Sequence, residues 1–156
     1  MLPLIHEWKK AGEKIVFTNG VFDLLHVGHV TYLKQARSLG TKLIVGVNSD
    51  DSVRRLNKGP ERPINPEWAR KDVLEALKCV DLAIVFNEDT PLGLILQIEP
   101  NFIVKGGDYD ASERDINAKK YIVGSNECHS WSGEVVAIPL VDGFSTTGIV
   151  KSLTKK

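Results

Sequence analysis

The stretch KIVFTNGVFDLLHVGHVTYLKQARSL, residues 14–39, changes its periodicity at a glycine. Residues 14–19 form an apolar run rich in β-branched side chains, which suits a strand covered on both faces. Gly20 permits a turn out of that strand. A helical pattern follows over residues 28–39, and the junction between strand and helix carries two histidines, His26 and His29.

Working outward, four more short apolar runs resemble the first: residues 42–48, 81–86, 101–105 and 134–140. Helical patterns separate them at residues 66–80 and 90–99, where Pro66 and Pro91 occupy positions that a first helical turn accepts. A last helix begins near Ser145 and runs toward the C-terminus. This alternation predicts an α/β chain with a Rossmann-like, doubly wound, parallel five-stranded sheet and helices on both faces. At 156 residues the chain fits one domain spanning residues 1–156. Two polar stretches, residues 57–65 and 106–133, follow element ends. The second is long for a structureless loop, so a short helix is expected around residues 115–124.

Composition narrows the chemistry. Twenty basic and twenty acidic residues give a formal net charge of zero, which removes any global electrostatic case for nucleic acid and leaves anion binding to a local site. No apolar run reaches the length of a membrane span, and residues 1–10 lack the apolar core of a secretory signal, so a cytoplasmic address is expected. Cys79, at the end of a helical pattern, and Cys128, in a polar stretch, have no CxxC spacing and read as reduced thiols.

The two histidines admit two readings, a metal pair or a phosphate site. A zinc site needs a third and usually a fourth ligand, and no neighbouring residues have the spacing of such a set. In an open parallel sheet, by contrast, the helix after the first strand points its free N–H groups and positive dipole end into the crevice where ligands bind. Gly28 removes a side chain there, and the imidazoles add ring N–H donors. Phosphate chemistry is therefore expected and no protein-borne metal site.

GVFDLLHVGH (residues 20–29) resembles the G-x-F-D-x-x-H-x-G-H signature of the cytidylyltransferase-like nucleotidyltransferase superfamily. The resemblance continues through VGVNSDDSVRRLNKG, RPINPEWARKDVLEALKCVD, EDTPLGLI, VKGGDY and DGFSTTGIV. That ordered set looks most like the adenylyltransferase domain of ADP-heptose synthase in a free-standing form. The resemblance implies that AMP passes from ATP to a heptose 1-phosphate, giving ADP-heptose and pyrophosphate, with Mg²⁺ accompanying ATP and a homodimer as the assembly. The substrate brings its own phosphate nucleophile, so catalysis would rest on positioning and charge stabilisation. Two alternatives stay open: a cytidylyltransferase or guanylyltransferase acting on another small phosphorylated sugar or alcohol such as glycerol 3-phosphate, and a catalytically silent nucleotide-binding module.

Carried over residue by residue, the resemblance gives His26 and His29 to the phosphates and makes Lys58 a loop lysine that reaches them. Asn19, Gly20, Phe22 and Gly28 would border the nucleotide, and Asp23 would organise the loop or cap the following helix. Arg70 matches a family position. Lys105, Gly106 and Asp108 would lie beside nucleotide or sugar, and Ser145, Thr146 and Thr147 would present a second helix start to the departing pyrophosphate. Leu140 stands where the glycerol-phosphate cytidylyltransferase branch tends to carry a basic residue, which leaves one fewer cation for the terminal phosphates.

Overall fold

Six of the seven residues of β2 (Lys42–Asn48) are buried, as a strand enclosed on both sides requires. In the computed structural model, which describes residues 1–155, β2 pairs in parallel with β1 (Ile15–Gly20) and β3 (Leu82–Phe86). β1 also pairs in parallel with β4 (Phe102–Gly106), and β4 with β5 (Glu134–Ile138). The sheet order is β3-β2-β1-β4-β5. The order reverses direction between β1 and β4, and the crevice beyond their carboxyl ends is where such a sheet accepts a ligand.

Side chains alternate between the two faces. On one face Val16, Leu43, Val45 and Val104 meet Tyr32, Leu33 and Ala36 of α2 (Val27–Ser38) and Leu74 of α4 (Glu67–Glu75). On the other, Ile15, Phe17, Ile44 and Ile103 meet Ile5 of α1 (Leu2–Lys10) and Leu94, Ile95 and Ile98 of α5 (Leu92–Ile98). The sheet is thus doubly wound, as its sequence pattern predicts.

The differences from the sequence reading lie in the helices. α1 and α3 (Asp50–Arg55) have no counterpart in it: α1 buries only Ile5, and α3 is six residues long, started by the Ser49 hydroxyl accepting from the Ser52 amide. The helix expected over residues 66–80 stops at Glu75, yet Leu77 and Val80 still pack on the core, so the apolar spacing outlasts the helix. β5 ends before Pro139, which has no N–H to give a ladder.

Residues 115–124 form turns instead of the expected helix, and the helix comes later, as α6 (Ser125–Cys128) with a 3₁₀ turn at His129–Trp131. Cys128 accordingly sits fully buried in the core, not in a polar loop. α7 (Thr146–Thr154) begins at the Ser145 cap, as expected. Among the described residues no helix is long and apolar enough to cross a membrane.

Candidate active site

A cavity of about 570 Å³ opens at the carboxyl ends of β1 and β4 and is bordered on its far side by the start of α7. Its floor is the turn between β1 and α2. The left-handed residue of that turn is Phe22, with φ 50°, rather than Gly20, which has ordinary backbone angles. Gly20 serves by its lack of a side chain: a Cβ there would lie 3.0 Å from the Phe22 ring.

His26 is the N-cap of α2. Its Nδ1 accepts from the Gly28 amide at 3.1 Å, and its own amide donates to His29 Nδ1 in a long contact of 3.4 Å. This is a capping box built from two imidazoles. The two rings stack with centroids 3.9 Å apart. Gly28 makes the fold-back possible, since a Cβ there would stand 2.8 Å from the His26 ring.

The box settles the tautomers. A ring whose Nδ1 accepts an amide N–H carries its proton on Nε2, so each of these two cavity-lining histidines keeps an Nε2–H free of any partner among the described residues. Burial, followed by the neighbouring His26, lowers the His29 pKa to about 4, and burial lowers that of His26. Both rings are neutral donors near pH 7.

Asp23 does not cap α2; it ties the following loop to the turn. Its carboxylate accepts from the amides of Ile64 and Asn65 and from Arg62 Nη1 at 2.8 Å, while Asn65 Nδ2 donates to the Asp23 carbonyl. The Asp23–Arg62 pair is almost sealed, with side chains 2% and 10% exposed. Arg70 continues this scaffold beneath the site: its fully buried guanidinium donates to the carbonyls of Asn65 and Val21 and to Asp50 Oδ1. It borders an apolar groove instead of the cavity, so its place is behind the turn and not against a nucleotide.

Cations converge on the cavity from two sides. Lys105, on β4, donates to the backbone and side-chain oxygens of Asn19 at 3.0 and 3.2 Å and lies 5.5 Å from the centre of the Tyr109 ring. Burial, then the charge of Lys58, pushes its pKa down to about 8. Lys58 is lowered too, by burial and by Arg62. Cations that raise one another's charging cost are relieved by an anion placed among them.

Of the third group of expected residues, Ser145, Thr146 and Thr147 all line the cavity. Ser145 Oγ caps the Gly148 amide, and the Thr146 hydroxyl donates to the Leu24 carbonyl at 3.0 Å. Both hydroxyls are therefore engaged, and Thr147 is the one without a hydrogen bond among the described residues. Asn19, Gly20, Phe22, Gly28, Lys105 and Gly106 also border the cavity, whereas Asp108 is exposed and outside it.

A family model described as cytidylyltransferase-like matches residues 17–152. The chain belongs to this family. As a cytidylyltransferase-like protein it is 50% identical over 150 residues to the bifunctional protein HldE of Magnetococcus marinus, an alignment covering 96% of this chain and 29% of that protein. To the HldE of Cronobacter sakazakii it is 51% identical over 147 residues, covering 94% and 29%. The chain thus spans less than a third of the length of these curated relatives. Among solved structures, the lipopolysaccharide core biosynthesis protein from Thermoplasma volcanium GSS1 superimposes with a TM-score of 0.63 at 29% identity, covering 83% of this chain and 98% of that one.

Family membership makes the chain a nucleotidyltransferase by descent and directs attention to residues that motif reading misses. Arg62 lies inside the quoted RPINP context, and its proximity to Lys58 is the signal that points to it. Tyr32 carries no motif signal: its hydroxyl lies 2.6 Å from Thr18 Oγ1 and donates to the Val104 carbonyl, and burial raises its pKa to about 12. Leu140 and Phe144 form an apolar wall, Leu140 so close to Gly106 that a Cβ there would lie 2.6 Å from it.

No group of three His, Cys, Asp or Glu that could hold a metal occurs among the described residues, and Asp23, the carboxylate lining the cavity, has both oxygens engaged. This donor set fits a Mg²⁺ that arrives on the triphosphate, ligated by phosphate and water oxygens.

Proposed function

We propose that this protein transfers AMP from ATP to a heptose 1-phosphate, giving ADP-heptose and pyrophosphate, with residues 1–156 acting as one nucleotidyltransferase domain in the cytoplasm. The observation that carries the reading is the pair of neutral imidazole donors fixed by their own capping box beside Lys105 and Lys58. The identity with HldE and the likeness to a lipopolysaccharide core biosynthesis protein support the sugar phosphate as acceptor.

In this reading a phosphate oxygen of the sugar attacks the α-phosphorus of ATP. A new P–O bond forms as the bond from the α-phosphorus to the bridging oxygen breaks, and that oxygen leaves with the electron pair as pyrophosphate. The Nε2–H groups of His26 and His29 donate to the α-phosphate oxygens as charge builds, and Lys105 and Lys58 offset the charge without moving a proton. Mg²⁺ held by the phosphates would neutralise charge on the leaving group. Tyr32, hydrogen-bonded to β1 and β4, holds the two strand ends that carry Asn19 and Lys105 at a fixed spacing.

A homodimer is part of the proposal. An apolar groove lined by Leu24, Leu25, Val73, Ile149 and Leu153 runs between α4 and α7, near the 66% exposed Trp68 and with Leu153 78% exposed. Exposed apolar surface of this kind suits a second copy, and sedimentation of the purified chain tests it.

The reaction is tested by a pyrophosphate-release assay that crosses four nucleoside triphosphates with a panel of sugar 1-phosphates and glycerol 3-phosphate in the presence of Mg²⁺. Turnover confined to ATP with a heptose 1-phosphate is the expected result. Preference for CTP with glycerol 3-phosphate, or no turnover with any pair, would replace the reading with a cytidylyltransferase or a silent nucleotide binder.

A further inference from the structure

Lys105 is a partly buried cation with no carboxylate at ion-pair distance among the described residues. Two of its three donors go to Asn19, at 3.0 Å to the carbonyl and 3.2 Å to the side-chain oxygen, and the third has no partner among the described residues. The charged and titratable groups that line the cavity with it supply no counter-ion. Lys58 and Arg62, from the loop after α3, carry its own sign; His26 and His29 are neutral; Asp23 is spent on Arg62 and on the amides of Ile64 and Asn65. A desolvated ammonium without a counter-ion is costly to keep charged. The remaining electron-rich group at its Nζ is the ring of Tyr109, whose centre lies 5.5 Å away, within reach of a cation–π contact.

The backbone brings the ring there. β4 ends at Gly106, and Gly107, with φ 82°, turns the chain while its amide donates to the Ile138 carbonyl at the end of β5. A residue with a Cβ is strained at that angle. Past Tyr109 the loop is fastened by Asp110, whose amide donates to the Lys120 carbonyl and whose carboxylate accepts from the Ser112 amide and hydroxyl. Tyr109 itself is 39% exposed, and its hydroxyl has no hydrogen bond among the described residues. Neither burial nor the hydroxyl accounts for an aromatic side chain at this place; the face of the ring does. Sequence reading gives roles to Lys105, Gly106 and Asp108 of the KGGDY run and none to Tyr109.

We infer that Tyr109 is a positioning residue that acts through Lys105, its ring face holding the ammonium charged beside the cavity while the third N–H stays free for an anion. Burial and Lys58 favour the neutral amine, and the Asn19 oxygens and the ring favour the ammonium. Without the ring the proton leaves at a lower pH. This effect on the amine stands by itself, and its consequence for ATP rests on the proposed function.

Leucine is the discriminating substitution at residue 109, because it keeps apolar cover over Lys105 and removes the π face. Phenylalanine keeps the face and removes only the hydroxyl. Trace acetylation of the full chain without nucleotide, from pH 6 to 10, followed by peptide mass spectrometry, reads the proton on each lysine, since only the neutral amine is acylated. In wild type and Tyr109→Phe the Lys105 amine should become reactive with a midpoint near 8. In Tyr109→Leu the midpoint should fall by about half a unit to one unit, with the exposed Lys10 unchanged as an internal standard. Calorimetry should show ATP binding to Tyr109→Leu about threefold more weakly than to wild type at pH 8, and within about 1.5-fold at pH 6, where both amines are charged.

The ring lies on an exposed loop, so unchanged thermal melts should accompany these shifts. A Lys105 midpoint that stays or rises in Tyr109→Leu would overturn the inference, as would Tyr109→Phe falling as far as Tyr109→Leu. So would ATP affinity lost equally at pH 6 and pH 8, the mark of a residue that only shapes the loop. The two readings fail separately. A lowered midpoint in Tyr109→Leu with no AMP transfer to any sugar phosphate leaves the role of the ring standing and removes the proposed reaction. Transfer by a chain whose Lys105 ignores residue 109 does the reverse.

Discussion

In the proposed reaction, replacing His29 by alanine removes one of two neutral donors to the phosphates, and the surroundings of the ring set the expected size of the effect. With its pKa near 4, the ring at pH 7 contributes a hydrogen bond and not a full charge. A preorganised donor to developing charge typically accounts for roughly 10²–10³ in kcat, or about 3–4 kcal/mol. The structural cost is much smaller, because the amide of His26 loses only a long acceptor contact of 3.4 Å, about 0.5 kcal/mol for so weak a bond. Turnover by His29→Ala should therefore fall about a hundredfold or more while the fold and most of the ATP affinity survive. Pyrophosphate release measured from pH 5 to 9 supplies kcat and KM. Because the ring stays neutral across that range, titration of His29 should add no acid limb near 6.5, and wild type and His29→Ala should share the shape of their acid sides.

Stability carries the same signature. The folded pKa of about 4 lies below the ordinary 6.5, so the unfolded chain takes up the proton first as pH falls. The contribution of His29 is whole above 6.5 and is lost on the way to 4, so wild type should lose stability relative to His29→Ala in chemical denaturation over that window, enough to close the small gap between them. An acid limb near 6.5 that vanishes in His29→Ala, or a loss in ATP affinity as large as the loss in kcat, would refute the neutral-donor argument.

Lys105, lowered to about 8, loses its charge as pH rises through 8, so kcat/KM and ATP affinity should decline there, and Lys105→Arg should remove that alkaline limb. Asp23→Ala strands two amides and the buried Arg62, which should cost about 3–5 kcal/mol in urea denaturation and expose residues 56–65 to protease; a loss below about 1 kcal/mol would show that the carboxylate is dispensable there. Lys58→Ala should slow turnover at least tenfold, the effect of losing one charge-assisted contact, whereas Arg54→Ala, which breaks an exposed pair with Asp51, should change stability and rate by less than a factor of about three.

The strands are legible because enclosure on both faces leaves an unambiguous mark: in residues 42–48 nearly every position is apolar, as a central parallel strand with no solvent-facing side must be. α1 is illegible because one buried residue, Ile5, leaves no periodicity to read. α3 is hidden by its brevity. Cys128 is misplaced by the sequence because its neighbours are polar while its own side chain turns inward, a fact that only tertiary packing decides. In the site, a motif identifies residues without saying what they face: it draws together His26, His29, Lys58, Lys105 and the Ser145–Thr147 run, all of which line the cavity. It also includes Arg70, whose interior ion pair with Asp50 depends on a partner twenty residues away. Asp23 admits two roles in the sequence, and the amides of Ile64 and Asn65 select the loop-organising one.

α7 buries none of its nine residues fully, and the hydroxyl of Thr146 on the Leu24 carbonyl is its one side-chain hydrogen bond to a distant part of the chain among the described residues. Its attachment is therefore among the least costly in the molecule to undo, yet it forms one wall of the cavity. Occupancy and attachment become a single equilibrium: whatever fills the cavity also fastens the end of the chain, and a spectroscopic label on the outer side of that helix would report ligand concentration through the helix's own docking.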